Sequence, residues 1–260
     1  MQAEIVFLGS GTSMGVPTLG CGCSVCTSID PRDRRMRPSI IVLFRDGDSE
    51  RCVLIDTGPD FRQQALRENL HTIDAVLYTH AHADHILGLD DLRPLSFKNL
   101  RKIPLYADQT TTQVLQQVFA YTFSEDNKYP YKARVELRPL KEYTRIFGAE
   151  FATVPLVHGT LKTVGFRFGN AAYLTDMSDI PETSFALLQD LDVLIVDALR
   201  RTPHPSHSNL ETSLKFVEKI RPRLAYFTHI AHDLGHVETE NELPAHVHMA
   251  YDGLRIPIEL

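Results

Sequence analysis

The stretch Thr79-His80-Ala81-His82-Ala83-Asp84-His85 places three imidazoles and a carboxylate within the six residues from His80 to His85. Each of these side chains can ligate a borderline-soft divalent metal, and crowding them is costly unless positive charge sits among them. The short apolar run from Asp74 to Thr79 reads as a buried strand, so the cluster falls where a strand gives way to a loop. Alternation in an extended loop sends His80, His82 and Asp84 to one side, while His85 begins a helix on the other, so one segment addresses two metals. The competing reading is a solvated loop that is His-rich by chance, but chance gives no reason for the cluster to follow a strand so closely.

Composition sets the class around this motif. A chain of 260 residues, 43% hydrophobic and 23% charged, is ordinary globular material able to bury a full core. No run reaches the length of a membrane span, and Met1 to Leu8 reads as a strand rather than a signal peptide, which predicts a cytoplasmic protein without a membrane partner. The formal net charge of −6 argues against dependence on extended nucleic acid, whose affinity comes mainly from Lys and Arg on phosphates; a small anion held by metals remains compatible. No Ser/Gly- or Pro-rich linker interrupts the chain, which predicts one domain over residues 1–260.

Cys21-Gly22-Cys23-Ser24-Val25-Cys26 carries three of the four cysteines at Cys-x-Cys-x-x-Cys spacing. Three thiolates need a fourth ligand to close a tetrahedral zinc site; none lies nearby in sequence, so a distant His is implied. A reduced, buried cysteine cluster is the alternative. Cys52, inside a strand-like run, reads as a small core residue. The basic run Arg32 to Arg37 reads as a solvated loop or a contact for a substrate phosphate. Gly9, Gly11 and Gly15 permit a tight turn but match neither dinucleotide nor Walker spacing.

Strands are predicted at Glu4 to Leu8, Ser39 to Phe44, Arg51 to Ile55, Ile103 to Tyr106, Arg134 to Leu137, Glu150 to Leu156, Thr163 to Phe168, Ala171 to Leu174, Val193 to Val196 and Leu224 to Phe227. Helices are predicted over Phe61 to Leu70, Asp84 to Leu92 with Pro94 as its stop, Thr110 to Tyr121, Pro181 to Leu188 and Asn209 to Ile220. Asp252-Gly253 suggests a hairpin turn, and the aromatic segment Tyr121 to Tyr131 a lid or a packed loop. This pattern gives two β-rich halves with helices outside. His158, Asp176 and His229 each follow a predicted strand; taken singly, each reads as readily as a satisfied structural polar residue.

His80-Ala81-His82-Ala83-Asp84-His85 resembles the His-x-His-x-Asp-His signature of the metallo-β-lactamase fold, a four-layer αββα sandwich of the α/β (α+β) class whose members are mostly metal-dependent hydrolases. The resemblance implies one metal on His80, His82 and His158, a second on Asp84, His85 and His229, Asp176 bridging both, and Asp56 orienting the ligating histidines. Two cations about 3.5 to 4 Å apart can share a hydroxide that attacks phosphorus, and a proton donor opposite would assist the leaving oxygen. Phosphodiesterases of the superfamily carry a His in the loop that here holds His204 and His207; His207 is favoured, because His204 lies between two prolines. Asp84 and His207 are thus the candidate catalytic residues.

Gly11-Thr12-Ser13, Gly15-Val16-Pro17, the three cysteines and Thr228-His229-Ile230-Ala231-His232 more narrowly resemble the cyclic-phosphate phosphodiesterases of the bacterial carbon-phosphorus lyase pathway. That resemblance supplies His232 as the fourth ligand of a structural zinc with Cys21, Cys23 and Cys26. It implies zinc, manganese or iron in the dinuclear site, a small phosphodiester or nucleotide substrate, and a homodimer as in many relatives. The alternatives are an RNA-processing nuclease of the transfer-RNA 3′ endonuclease type, whose basic glycine-rich arm is not found here, and a non-enzymatic, metal-stabilised nucleotide-binding module.

Overall fold

The computed structural model describes residues 1–98, 101–124, 126 and 128–260. Runs rich in Val, Ile, Leu and Phe form Gln2–Gly9 (β1), Ser39–Asp46 (β2) and Ser49–Ile55 (β3), which pair antiparallel in that order. Ala75–Leu77 (β4), Ile103–Ala107 (β5) and Val135–Pro139 (β6) extend the sheet in parallel, with helices Phe61–Arg67 and Gln109–Val118 among the crossovers. The second sheet uses Tyr143–Ile146 (β7), Ala149–His158 (β8), Leu161–Phe168 (β9), Ala171–Leu174 (β10), Val193–Asp197 (β11), Leu224–Thr228 (β12) and Val247–Met249 (β13). Its last four strands are parallel, and the helix Leu210–Ile220 crosses between β11 and β12. Arg255–Glu259 (β14) leaves this sheet and pairs with β1 in the first.

Three apolar clusters define the layers. Phe7, Val42, Val53, Phe151, Phe166 and Ile195 fill the space between the sheets. Leu54, Phe61, Leu105 and Leu115 join the first sheet to its outer helices, and Leu174, Val196, Leu210 and Val217 do the same for the second. The result is the αββα sandwich of the metallo-β-lactamase fold. Among the described residues, no helix is long and apolar enough to cross a membrane.

The structure departs from several sequence expectations. Instead of one helix over Asp84 to Leu92, there is a single turn at Ala83–Ile86, a 3₁₀ turn at Leu89–Leu92, and then a helix Arg93–Lys98 that holds Pro94 in its first turn. Proline is at ease in a first turn, where its missing N–H has no partner to lose. Glu182–Leu188 is 3₁₀ rather than α-helical, and β7 was not anticipated. Asp252-Gly253 is no hairpin turn, because β13 and β14 lie in different sheets. There the Asp252 carboxylate accepts from Ser10 N and Met36 N, each at 2.9 Å, fastening the crossing to the N-terminal loop. The aromatic segment begins as a short helix, Ala120–Phe123, and Tyr129 and Tyr131 are largely exposed. Glu125 and Asn127, within the suggested lid, lie outside the described residues.

Two glycines bring the site together. A Cβ on Gly58 would lie 2.3 Å from the Asp84 carbonyl oxygen, and one on Gly88 would lie 2.1 Å from the Gly58 carbonyl oxygen. Both contacts are with backbone, which cannot swing away as a side chain can. Gly58→Ala is therefore expected to destabilise the fold by about 1–3 kcal/mol, read as a lower melting temperature. An unchanged melting temperature would show that the turn carrying Asp84 is not held by this contact.

Candidate metal centre

The site lies at the C-terminal ends of the parallel strands. Asp56 follows β3, His80 follows β4, Asp176 follows β10, Asp197 ends β11 and His229 follows β12. Strand ends in open α/β sheets face a shared crevice where loops can converge. Asp56, Asp176 and His229 have positive φ values of 64°, 51° and 58°. A non-glycine residue in the left-handed region is strained by about 1–3 kcal/mol, and three in one site show backbone held against its preference to aim side chains.

His80, His82, His158 and Asp176 bring one ligand atom each within 4.8 Å of one another, as do Asp84, His85, Asp176 and His229. Asp176 belongs to both groups. The structure thus gathers all seven residues named from the motif and the strand ends. Their supporting contacts fix which imidazole nitrogen faces inward. Asp56, fully buried, accepts from the Thr79 amide at 2.9 Å, the Thr79 hydroxyl at 2.8 Å and His85 Nδ1 at 2.7 Å. His158 Nδ1 donates to the Ser206 carbonyl at 2.6 Å. With Nδ1 engaged, Nε2 of each ring is left for the centre.

The donor set calls for cations. His80 Nε2, His85 Nε2, His229 Nε2 and Asp84 Oδ2 are buried without a hydrogen-bond partner among the described residues. Such orphans are rare in folded proteins, and here they converge. Burial disfavours a proton on His85, yet Asp176, Asp84 and Asp56 together push its pKa well above the ordinary imidazole value. Burial likewise opposes a charged His229, but Asp176 and Asp84 push it up to about 9. Burial would raise the pKa of Asp84, but the neighbouring imidazoles of His85 and His229 hold it below the usual carboxylate range. With only protons available, the carboxylates draw them onto imidazoles, and divalent ions would answer the same demand.

The sequence reading missed Asp197. Its fully buried Oδ2 accepts from His207 Nδ1 at 2.8 Å and from the Met177 amide at 3.1 Å. His207 stacks on His229 with ring centroids 4.5 Å apart, at the edge of the ligand cluster. His204 instead takes hydrogen bonds from its own loop, with Nδ1 3.3 Å from both the amide and the hydroxyl of Ser206. The only sequence signal for Asp197 is its place at the end of the apolar run Val193 to Val196, the position that Asp56 and Asp176 occupy after their own strands.

A second cluster joins the N-terminal loop to the segment after β12. The sulfurs of Cys21, Cys23 and Cys26 lie 3.2, 3.5 and 3.4 Å from His232 Nδ1. A tetrahedral zinc with ordinary Zn–S and Zn–N lengths would set such edges at about 3.5–3.8 Å, so the donors stand at ligand spacing. The Cys26 amide donates to Cys23 Sγ and brings that thiol's pKa down to about 6, which favours a thiolate at neutral pH. Cys52 is buried in the core next to β4, as expected. The basic run is solvated only in part: Arg34 is exposed, whereas Arg35 is buried. The Arg35 side chain is 0% exposed and ion-pairs with Asp33, Arg32 pairs with Asp30, and Arg37 pairs with Asp60. His232→Ala is expected to remove one bound zinc per chain and lower the melting temperature more than it changes turnover; unchanged zinc content and melting would sink this assignment.

A family model described as the beta-lactamase superfamily domain matches residues 51–230. A crystal structure of a diphosphatase from the PhnP family superposes with a TM-score of 0.93 at 52% identity, covering 100% of this chain and 98% of that one. The octanoyltransferase of Porphyromonas gingivalis is 38% identical over 258 residues, which are 98% of this chain but 51% of the relative, so the chain spans about half its length. Zinc-bound PqqB from Methylobacterium extorquens shares the fold, with a TM-score of 0.76 at 22% identity over 97% of this chain and 99% of that one. The chain therefore belongs to the beta-lactamase superfamily and is PhnP-like over its whole length.

Proposed function

We propose that this chain is a dinuclear metal-dependent phosphodiesterase acting on a small cyclic or nucleotide-like phosphodiester. The observation that carries the reading is one buried carboxylate, Asp176, common to two ligand groups, with the Asp197–His207 pair beside them. Divalent ions held there would neutralise the phosphate and activate water at neutral pH. Zinc, manganese or iron suits the imidazole and carboxylate donors, and zinc suits the Cys21, Cys23, Cys26 and His232 group.

The chain's own residues supply orientation and the proton. Asp56 and the Ser206 carbonyl hold His85 and His158 in single ring orientations, so the ligand groups need little reorganisation on binding. His207, whose Nδ1–H is taken by Asp197, has Nε2 free to deliver a proton to the departing oxygen. An alkoxide leaves poorly at pH 7, so this step matters most for an ester. The acidic balance of the chain supports a small substrate over extended RNA.

The 52% identical neighbour described as a diphosphatase supports a second reading, cleavage of a phosphoanhydride. Phosphate is the better leaving group, so that reaction would lean less on His207. The deciding experiment is hydrolysis of bis(p-nitrophenyl) phosphate and of ADP by metal-reconstituted protein beside Asp84→Ala. Turnover of the diester that falls at least about 100-fold in the variant is expected. ADP cleavage without diester cleavage would favour the anhydride, and no turnover of either would sink both readings.

A further inference from the structure

The inner face of the first sheet is apolar until it reaches the β5–β6 edge. Arg51 shares the face of Val53 by strand alternation, and Tyr106 packs at the margin of the central core. Arg138 stands opposite Tyr106 across the β5–β6 pair. The β7–β8 turn of the other sheet, with Arg145 and Phe147, faces them across a cleft of about 870 Å³. It opens at the start of β4, whereas the metal-ligand cluster follows that strand's end, a separation on the order of 20 Å along extended chain.

The cleft concentrates positive charge. Arg51, Lys98, Arg101, Lys102, Arg138 and Arg145 line it against two carboxylates, Asp74 and Glu136, in a chain whose formal net charge is −6. The carboxylates are spent on two of the cations: Asp74 holds Arg51 at 3.2 Å, and Glu136 holds Arg138 through two nitrogens at 2.8 and 3.0 Å. Arg51 also lies 3.8 Å over the Phe147 ring, and its Nε is buried without a hydrogen-bond partner among the described residues. Arg101 and Lys102 make no ion pair with the described residues, and Arg145 reaches Glu150 only at 3.9 Å while 74% exposed. Cations gathered this closely repel one another unless an anion joins them, and pre-oriented guanidinium groups suit phosphate oxygens.

We propose that this cleft binds a small molecule carrying two phosphate groups, a sugar bisphosphate or a nucleoside diphosphate, at a site separate from the metal centre. Its volume falls within the usual range of small-ligand pockets, and Tyr106 offers a ring for a base.

The test is calorimetric titration of metal-loaded protein with fructose 1,6-bisphosphate and with ADP, beside the double variant Lys102→Glu, Arg145→Glu. Both changed side chains are exposed, and an unchanged melting temperature verifies folding. Expected are weaker binding of fructose 6-phosphate than of the bisphosphate, and at least about 10-fold weaker bisphosphate binding in the variant. Turnover of bis(p-nitrophenyl) phosphate should stay unchanged. Similar affinities for both probes, lost together in the variant, assign the site to the two phosphates, and a preference for ADP that depends on Lys102 and Arg145 assigns it to a nucleotide. Equal binding by wild type and variant would overturn the proposal, as would Lys102- and Arg145-dependent binding of a single-stranded RNA that neither small probe displaces.

Discussion

His207→Ala should slow hydrolysis of an alkyl phosphodiester by about 10²–10⁴-fold while leaving bis(p-nitrophenyl) phosphate much less affected. The two substrates differ in where the proton is needed. Nitrophenolate leaves without help, whereas an alkoxide must be protonated as its bond to phosphorus breaks. His207 donates Nδ1–H to a fully buried carboxylate, so the opposite nitrogen is the one that can serve the substrate. Asp197→Asn should lose part of the same selectivity, because an amide in that place can present N–H to Nδ1 and favour the other tautomer. An equal loss on both substrates would remove His207 as the acid and leave it a positioning or ligand role near Asp176, which its inclusion in a third ligand group with Asp176, Asp197 and His229 would accommodate.

The largest effect on stability is expected from Arg35→Ala. The Arg35 guanidinium donates to the carbonyls of Ala231 and Leu234 at 3.2 and 2.8 Å and to Asp33 at 2.9 Å, while Asp33 also accepts from the His236 amide at 2.8 Å. Burial draws the guanidinium's pKa below its ordinary value, Asp33 opposing. Truncation would strand a buried carboxylate and two carbonyls, at about 3–5 kcal/mol. The melting temperature should fall on the order of 10 °C for a chain of this length. Because the clamped carbonyls flank His232, zinc content should fall as well. Arg35→Lys should restore only part of the loss, since an ammonium cannot match the planar fork. Melting that is unchanged in the alanine variant would show that the 231–234 segment is held by other means.

The ligand cluster was legible because its chemistry is local: His80, His82, Asp84 and His85 announce themselves by spacing, and the cysteines do likewise. His158, Asp176, His229 and His232 became candidates only through strand ends and family resemblance, since one polar residue after one strand says little. Asp197 escaped because its meaning depends on His207 arriving from a loop ten residues later, a contact that no periodicity reports. Within the run Arg32 to Arg37, Arg35 misled for a related reason. Charge predicts solvent exposure unless partners cover it, and those partners, Ala231 and Leu234, lie some two hundred residues away. At Asp252-Gly253 the turn residues were read correctly as a change of direction, but the direction led to another sheet. Residue types suited to a tight turn also suit any abrupt crossing, and only the destination of β14 tells them apart.

That destination bears on how the molecule is made. Gln2 pairs with Glu259 and Val6 with Arg255, so β1 waits for β14 before its outer edge is covered. During synthesis β1 can pair with β2 early, but until residues 255–259 arrive its other side offers unpaired N–H and C=O groups to any passing strand. Pairing so distant in sequence also closes a very long loop, which slows the docking of β14 on β1. Chains in which β14 has not yet docked on β1 should therefore be the aggregation-prone species.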